Sequence, residues 1–374
     1  MGLDNGVSTI LMVTAVVAGG VGRHVEQLTR SLVDLGHHVV VACPPVVAAR
    51  FGLVQAGAEH VAVEIGSKPL PQRDRRTVAI LRDTMTRVDV VHAHGVRAGA
   101  MAVLARDGDD PPLVVTAHNA APEGRFAAVV HWNLVRVVCR GADLVLGVSR
   151  DLCEVAWERG ARDVAAAVVP ATTVTPSKGR DQVRRELGLA DDTPLVVAVG
   201  RLAPQKGFDR LLDALGAAGL SEEDAQVVIA GEGPQAAALQ RGIDRGRLPV
   251  RLLGHRGDVP DLLAGADVVV SAARWEGQPV WLQEALSVGA AIVATDVGGT
   301  EQVLDGAGLL VPGEDPEALG AALTALLADP ALREDLRARA LVRATQLPTA
   351  TDAAQAALSA YRRAASATQS GDVH

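Results

Sequence analysis

Aromatic side chains are nearly missing from this 374-residue chain: three Phe, four Trp and one Tyr make up 2% of it. Yet 48% of the residues are apolar and the mean hydropathy is +0.20, so a large core must be filled by Val, Leu and Ala. Cysteine is also scarce. Cys43, Cys139 and Cys153 show no CxxC pair and no metal-ligand spacing, which argues against a disulfide framework and points to a reduced, cytoplasmic setting. No apolar stretch reaches the roughly 18 residues of a membrane-spanning helix, and no basic segment leads into an apolar run with a cleavage site. Basic charge is not in excess either, and a net charge of −8 excludes a general nucleic-acid binder. At this length two domains are the default.

What is present is a rhythm of short apolar runs and helical segments. Val39-Val40-Val41 and Leu195 to Val199 read as strands buried on both faces, the mark of a parallel sheet. Ile10 to Val17 is the first strand. It ends in Ala18-Gly19-Gly20-Val21-Gly22-Arg23-His24, and a helix follows through Leu35, with Gly36 as its C-cap. A glycine-rich first loop invites a dinucleotide reading. The spacing is not GxGxxG, however, and Ala42-Cys43-Pro44-Pro45 stands where an acidic residue would hold an NAD ribose. Gly19 and Gly20 then either make a tight strand-to-helix turn or let the backbone approach a phosphate or sugar.

Later strands end in histidines. Val88 to His92 leads to His94, and Leu113 to Thr116 leads to His118 and Asn119; in open parallel sheets ligands sit at these carboxyl ends. Ligand contact and structural hydrogen bonding are the two readings for each. His92 and His94 could converge on a metal, but no third ligand is evident, so no metal is expected. Lys68 to Arg87 carries Arg73, Arg75, Arg76, Arg82 and Arg87, either a solvated helix face or a contact with an anionic membrane surface or acceptor. Ser149 is a candidate N-cap.

After Val168-Val169-Pro170 the chain turns polar, the expected interdomain linker. Gly200-Arg201 through Lys206-Gly207 then follows a strand, and Arg201 and Lys206 could converge on one pyrophosphate, Arg with a fork of donors and Lys as a point charge. A solvated loop is the alternative. Between Ser271 and Glu301 lies a strand end, Glu276, a Gly277-Gln278-Pro279 turn and a helix starting near Pro279 or Val280. The amides of Val280, Trp281 and Leu282 would face an anion there. Glu276 and Glu284 flank this seat. Carboxylates repel phosphate, so they read as acceptors for hydroxyls of a sugar and a ribose. One helical tail is expected from Asp315 to Arg343 and another from about residue 350 to 364, with 365–374 disordered.

These pieces together resemble the retaining GT-B glycosyltransferases of glycosyltransferase family 4, the glycosyl transferases group 1 type. The likeness rests on the Gly-Gly loop with Gly22-Arg23-His24, on Asp89-Val90-Val91-His92-Ala93-His94, and on Thr116-Ala117-His118. It continues with Gly200-Arg201 and Lys206-Gly207, Gly231-Glu232-Gly233-Pro234, Glu276 with seven residues before Glu284, Gly298-Gly299 with Glu301, and Gly308 to Pro312. The resemblance implies two Rossmann-like parallel-sheet domains facing each other across a cleft. The acceptor-side domain would span 1–172, with the helix of about 350–364 packed back on it, and the donor-binding domain 173–349.

It also implies roles. Arg201 and Lys206 would bind the donor diphosphate, Glu276 the transferred sugar, Glu284 the ribose, and His118 the sugar pocket. Gly277 and the Pro279–Trp281 amides would approach the phosphate, Gly19-Gly20 the donor phosphate or acceptor, and Arg256 the base. The donor would be a nucleoside diphosphate sugar, with no metal or other cofactor. A glycan, a lipid-linked sugar or a small metabolite would be the acceptor, and the inner membrane face a peripheral contact. Departures are Ala171-Thr172-Thr173-Val174, where the family often has Asn-Gly-Val, and Gly-Gln-Pro-Val-Trp, where it has Gly-aromatic-Gly-hydrophobic-Pro. The rival readings are a GT-B sugar-nucleotide epimerase or hydrolase, a non-catalytic donor-binding subunit, and an NAD-dependent oxidoreductase.

Overall fold

The structure is a computed structural model that describes residues 6–16, 19–66, 69–107, 110–118, 125–190 and 192–370. The chain divides into two compact units, Met1–Pro170 with Pro348–His374, and Ala171–Leu347.

The first unit runs β1 (Thr9–Thr14), α1 (Gly19–Asp34), β2 (His38–Cys43), α2 (Pro45–Arg50), β3 (Glu59–Ala62) and α3 (Pro71–Met85). It continues β4 (Val90–His94), α4 (Val96–Ala105), β5 (Leu113–Ala117), α5 (Arg125–Gly141), β6 (Leu144–Gly147), α6 (Arg150–Glu158) and β7 (Val164–Ala166). All seven strands pair in parallel in the order β3-β2-β1-β4-β5-β6-β7. Side chains alternate between faces along a strand, and both faces are covered. Leu11 and Val13 join one core with Leu81 and Val138, while Ile10 and Met12 join the other with Val25 and Leu28. The chain leaves β1 toward β3, then returns to place β4 on the other side of β1. The carboxyl ends of β1 and β4 are therefore a switch point, where such sheets bind ligands.

The second unit begins with α7 (Arg180–Glu186), β8 (Leu195–Val199), a 3-10 turn (Pro204–Lys206), α8 (Phe208–Ala217), β9 (Gln226–Ala230), α9 (Ala236–Gly246) and β10 (Val250–Gly254). Next come α10 (Val259–Gly265), β11 (Val268–Ser271), α11 (Val280–Ser287), β12 (Ile292–Asp296), α12 (Thr300–Leu304) and β13 (Leu309–Pro312). Helices α13 (Pro316–Ala328) and α14 (Pro330–Gln346) complete it. The six strands pair in parallel in the order β10-β9-β8-β11-β12-β13, with a second switch point between β8 and β11. Val196 and Ala198 face one core and Leu195 and Val197 the other.

The last helix, α15 (Ala350–Ser370), belongs to the first unit: Ala354, Ala357, Tyr361 and Ala364 share a core with Ile10, Leu28 and Leu144. It is longer than the sequence suggests, so residues 365–370 are helical rather than disordered. Alanine has the highest helix propensity and carries the helix past the buried Ala364. Residues 371–374 lie outside the described ones, as do Val17, Ala18, Lys68 and Asn119. The tail expected as one helix over 315–343 is two, because Pro330 lacks the N–H that would continue the first. The Asp329 carboxylate caps the second by accepting from the Ala331 and Leu332 amides. Gly19 and Gly20 are not a loop but the first residues of α1, and neither has positive φ. The short elements α2, β3, β7 and α7 were not anticipated.

Candidate active site

At the switch point of the second unit, two loops are laced together. The Arg274 amide donates to the Gln205 carbonyl at 2.8 Å, and Gln205 Nε2 donates to the Trp275 carbonyl at 3.1 Å. Gly207 sits at φ +62°, where a side chain is strained, and a Cβ there would lie 1.9 Å from the Ala272 carbonyl oxygen. Only glycine lets the turn after β8 press this closely on the loop after β11. The result is an ion pair between Lys206 Nζ and the buried Glu276 carboxylate. The backbone of Glu276 is held from behind, since its carbonyl accepts from the Gly299 amide at 3.0 Å. A Cβ on Gly298, at φ +54°, would fall 1.7 Å from that carbonyl.

The Lys206 stem runs beside Gly200, whose Cβ would meet the lysine carbons at 3.3 Å, so the ammonium lies next to the residue that precedes Arg201. Arg201 is exposed and makes no hydrogen bond or ion pair among the described residues. Arg256 is differently placed. Its guanidinium holds Asp258 through two bonds of 2.8 and 2.7 Å, and Lys178 approaches the same carboxylate at 3.3 Å.

The helix start after Glu276 is narrower than the sequence implies. Pro279 is the N-cap residue rather than the first helical one, and its carbonyl accepts from the Leu282 and Gln283 amides at 2.9 and 3.3 Å. Leu282 is therefore withdrawn from the anion seat, which leaves the amides of Val280 and Trp281. Gly277 and Pro279 are buried beside them. Glu284 lies one turn in, 7% exposed. No side chain caps α11.

At the switch point of the first unit, histidines gather. His92 shares hydrogen bonds with the Tyr361 hydroxyl through Nδ1 at 2.9 Å and with Thr116 Oγ1 through Nε2 at 2.7 Å, a structural role. His94 Nδ1 lies 3.2 Å from His118 Nε2. His24, one turn into α1, packs its ring 5.5 Å from that of His94 and 5.4 Å from that of His118. All four are buried. Burial pushes His24 down to about 4 and His92 down to about 3, the latter helped by His24. Burial first and the neighbouring histidines second hold His94 and His118 well below the ordinary value, so the cluster is neutral at pH 7. In the sequence His92 and His94 have no third companion for a metal. The fold supplies two, His24 and His118, and only the strand order links them.

Gly19 and Gly20 are exposed, and a Cβ on either would meet nothing within 4 Å. Packing among the described residues does not demand glycine there. Of the arginines around α3, Arg73 pairs with Glu64, Arg82 with Asp107 and Arg87 with Glu59. Arg75 and Arg76 remain exposed, so most of this basic cluster is neutralised locally. No helix among the described residues is long and apolar enough to cross a membrane. Ser149 does stand at the N-cap of α6, but its hydroxyl donates to the Asp151 carboxylate instead of accepting from the helix.

Residues 18–172 match the model described as Glycosyltransferase Family 4, and residues 193–329 the one described as Glycosyl transferases group 1. A D-inositol 3-phosphate glycosyltransferase from Xylanimonas cellulosilytica is 32% identical, over 86% of this chain and 87% of that protein. A phosphatidyl-myo-inositol mannosyltransferase from Mycolicibacterium smegmatis is 30% identical, over 87% of this chain and 85% of its own length. Among solved structures, Anabaena Alr3699/HepE in complex with UDP and glucose superposes with a TM-score of 0.77 at 21% identity. That match covers 95% of this chain and 99% of the other, a likeness of GT-B fold.

Proposed function

Because this chain belongs to the family 4, group 1 glycosyltransferases, we propose that it is a retaining enzyme using a nucleoside diphosphate sugar. Its acceptor is a hydroxyl in carbohydrate biosynthesis. The observation that carries this reading is the Lys206–Glu276 pair at the β8–β11 switch point, with Arg201 and the open end of α11 in the same loops.

The chemistry follows from charge. As the bond to the diphosphate breaks, the sugar gains oxocarbenium character and negative charge accumulates on the leaving oxygens. Fixed cations and amides aimed at that charge lower the barrier most. Arg201, Lys206 and the Val280 and Trp281 amides supply them without calling on a metal ion. Glu276 and Glu284 then accept hydrogen bonds from the sugar and ribose hydroxyls. Lys206 arrives already paired, so the donor takes over part of the ammonium while Glu276 turns to the sugar. In the second unit Arg256 lies toward the base; the roles that the resemblance gives the first unit are a sugar for His118 and a phosphate for the bare first turn at Gly19 and Gly20. The acceptor attacks on the face the diphosphate leaves, and its proton passes to the departing phosphate.

The named relatives act on inositol-bearing acceptors, which favours an inositol phosphate or a phosphatidylinositol here over a long glycan. The test is a thermal-shift screen of uridine and guanosine diphosphate sugars, since a ligand bound only by the folded state raises the Tm. Transfer to inositol phosphates with product analysis by NMR follows. A shift with one donor and an anomeric configuration matching the donor's supports the reading. Inversion, release of free sugar alone, or an epimerised donor sinks it.

A further inference from the structure

We infer that His24, His94 and His118 form a binding site for one divalent transition-metal ion of the zinc class. One ring nitrogen from each lies within 4.8 Å of the other two. Zinc-to-imidazole bonds of about 2.0–2.1 Å in a tetrahedron put ligand nitrogens roughly 3.3 Å apart. His94 Nδ1 and His118 Nε2 already stand at 3.2 Å.

An independent observation concerns hydrogen bonding. His24 Nδ1 is buried and has no partner among the described residues. Buried polar nitrogens are rarely left so, and each exception calls for an explanation. Neighbouring His92 shows the contrast, because both its nitrogens are matched, to Tyr361 and Thr116.

The donor set selects the ion. Three neutral imidazoles suit zinc, cobalt, nickel or cupric copper. Magnesium and calcium require oxygen ligands, and cuprous copper prefers thiolate or thioether. Among the described residues no carboxylate or thiolate joins the three, so a bound ion keeps its charge and an open fourth position for water or an anion. His118 is also the residue read as sugar-facing. An ion here would withdraw it from that task, and this consequence alone rests on the proposed function.

The test is metal content and visible spectroscopy on the full-length chain. After chelator treatment and gel filtration, the protein is dialysed against Zn2+ or Co2+. The expected result is one ion retained per chain and an intense visible band of four-coordinate Co(II), both lost in His24→Phe and His94→Phe and kept in His255→Ala. Retention of no ion by the native chain overturns the proposal. So does the weak spectrum of six-coordinate Co(II), or binding that survives in His24→Phe. The native-chain spectrum decides even where a variant fails to fold. None of these readouts uses sugar transfer, so failure here leaves the proposed function untouched.

Discussion

Arg274 grips Asp209 with both prongs of its guanidinium, at 2.7 and 2.6 Å, and donates at 2.8 Å to the Pro204 carbonyl. The guanidinium holds the Asp209 carboxyl below the usual carboxylate range. This clamp ties the loop carrying Glu276 to the turn carrying Lys206, without either residue being one of those the resemblance singles out.

Arg274→Ala should therefore impair the enzyme more than the fold. A half-exposed ion pair contributes at most about 1 kcal/mol to stability, so the Tm should move by only a few degrees. Misplaced Lys206 should lower kcat/KM roughly tenfold or more. Arg274→Lys should not rescue, because an ammonium cannot span both oxygens and the Pro204 carbonyl at once. Steady-state kinetics beside thermal melts decide it; equal losses in both variants and in Tm would show a merely structural role.

Removing the cations themselves should cost more. Arg201→Ala and Lys206→Ala are each expected to reduce kcat roughly a hundredfold to a thousandfold, the scale of losing one donor to a developing anion. Near-wild-type turnover in either would end the assignment.

Glycine exchanges separate ligand approach from packing. Gly298→Ala forces a Cβ against the Glu276 carbonyl at a positive φ. It should destabilise the second unit by more than the 1–2 kcal/mol that left-handed backbone costs, read in denaturant melts. Gly19→Ala meets nothing and lies in a helix, so stability should hold or rise by about 0.5–1 kcal/mol. Activity should nonetheless fall if a phosphate comes close to that turn. Unchanged kcat/KM in the stable variant would remove Gly19 from the site.

Asp267 makes stability depend on acid. Its carboxylate accepts from the Leu195 amide at 2.9 Å and pairs with Arg180 and Arg184 at 2.7 and 3.2 Å. Burial pushes the carboxyl up, but these partners outweigh it and leave it below the ordinary 3.8. A depressed carboxyl stabilises the fold above its unfolded value and loses that contribution as pH falls through the folded one. Below about pH 4 wild type should lose stability faster than D267N. At neutral pH D267N should be the weaker by about 3–5 kcal/mol, because buried Arg184 loses its carboxylate. Parallel acid slopes for the two proteins would refute this.

What the sequence made legible follows from where each element sits. Central strands such as Leu195–Val199 are buried on both faces and read as unbroken apolar runs, so they are legible in the sequence, although β1 ends at Thr14 rather than at Val17. The edge strands β3, Glu-His-Val-Ala, and β7, Val-Ala-Ala, carry no such run and are not legible in the sequence. Lys206 and Glu276 stand out by spacing and by the family pattern, but the Arg274–Asp209 clamp does not, because nothing in the order of residues marks a contact 65 positions apart. The histidine trio was hidden for the same reason: β5 and α1 come together only once the strand order is known. Gly19 and Gly20 misled in a different way. Glycine is a poor helix former, and here the local signal for a loop lost to the helix that follows.

The return of α15 to the first unit bears on how the chain is made. Synthesis runs from the amino terminus, and segments generally fold as they emerge. Here the face of α1 that receives Ala354 and Ala357, and the His92 nitrogen that receives Tyr361, wait until the second unit has been translated in full. The unit begun first is thus the one finished last. The second unit, whose sequence is continuous, can close on the ribosome while the first still shows an apolar groove to the cell's chaperones.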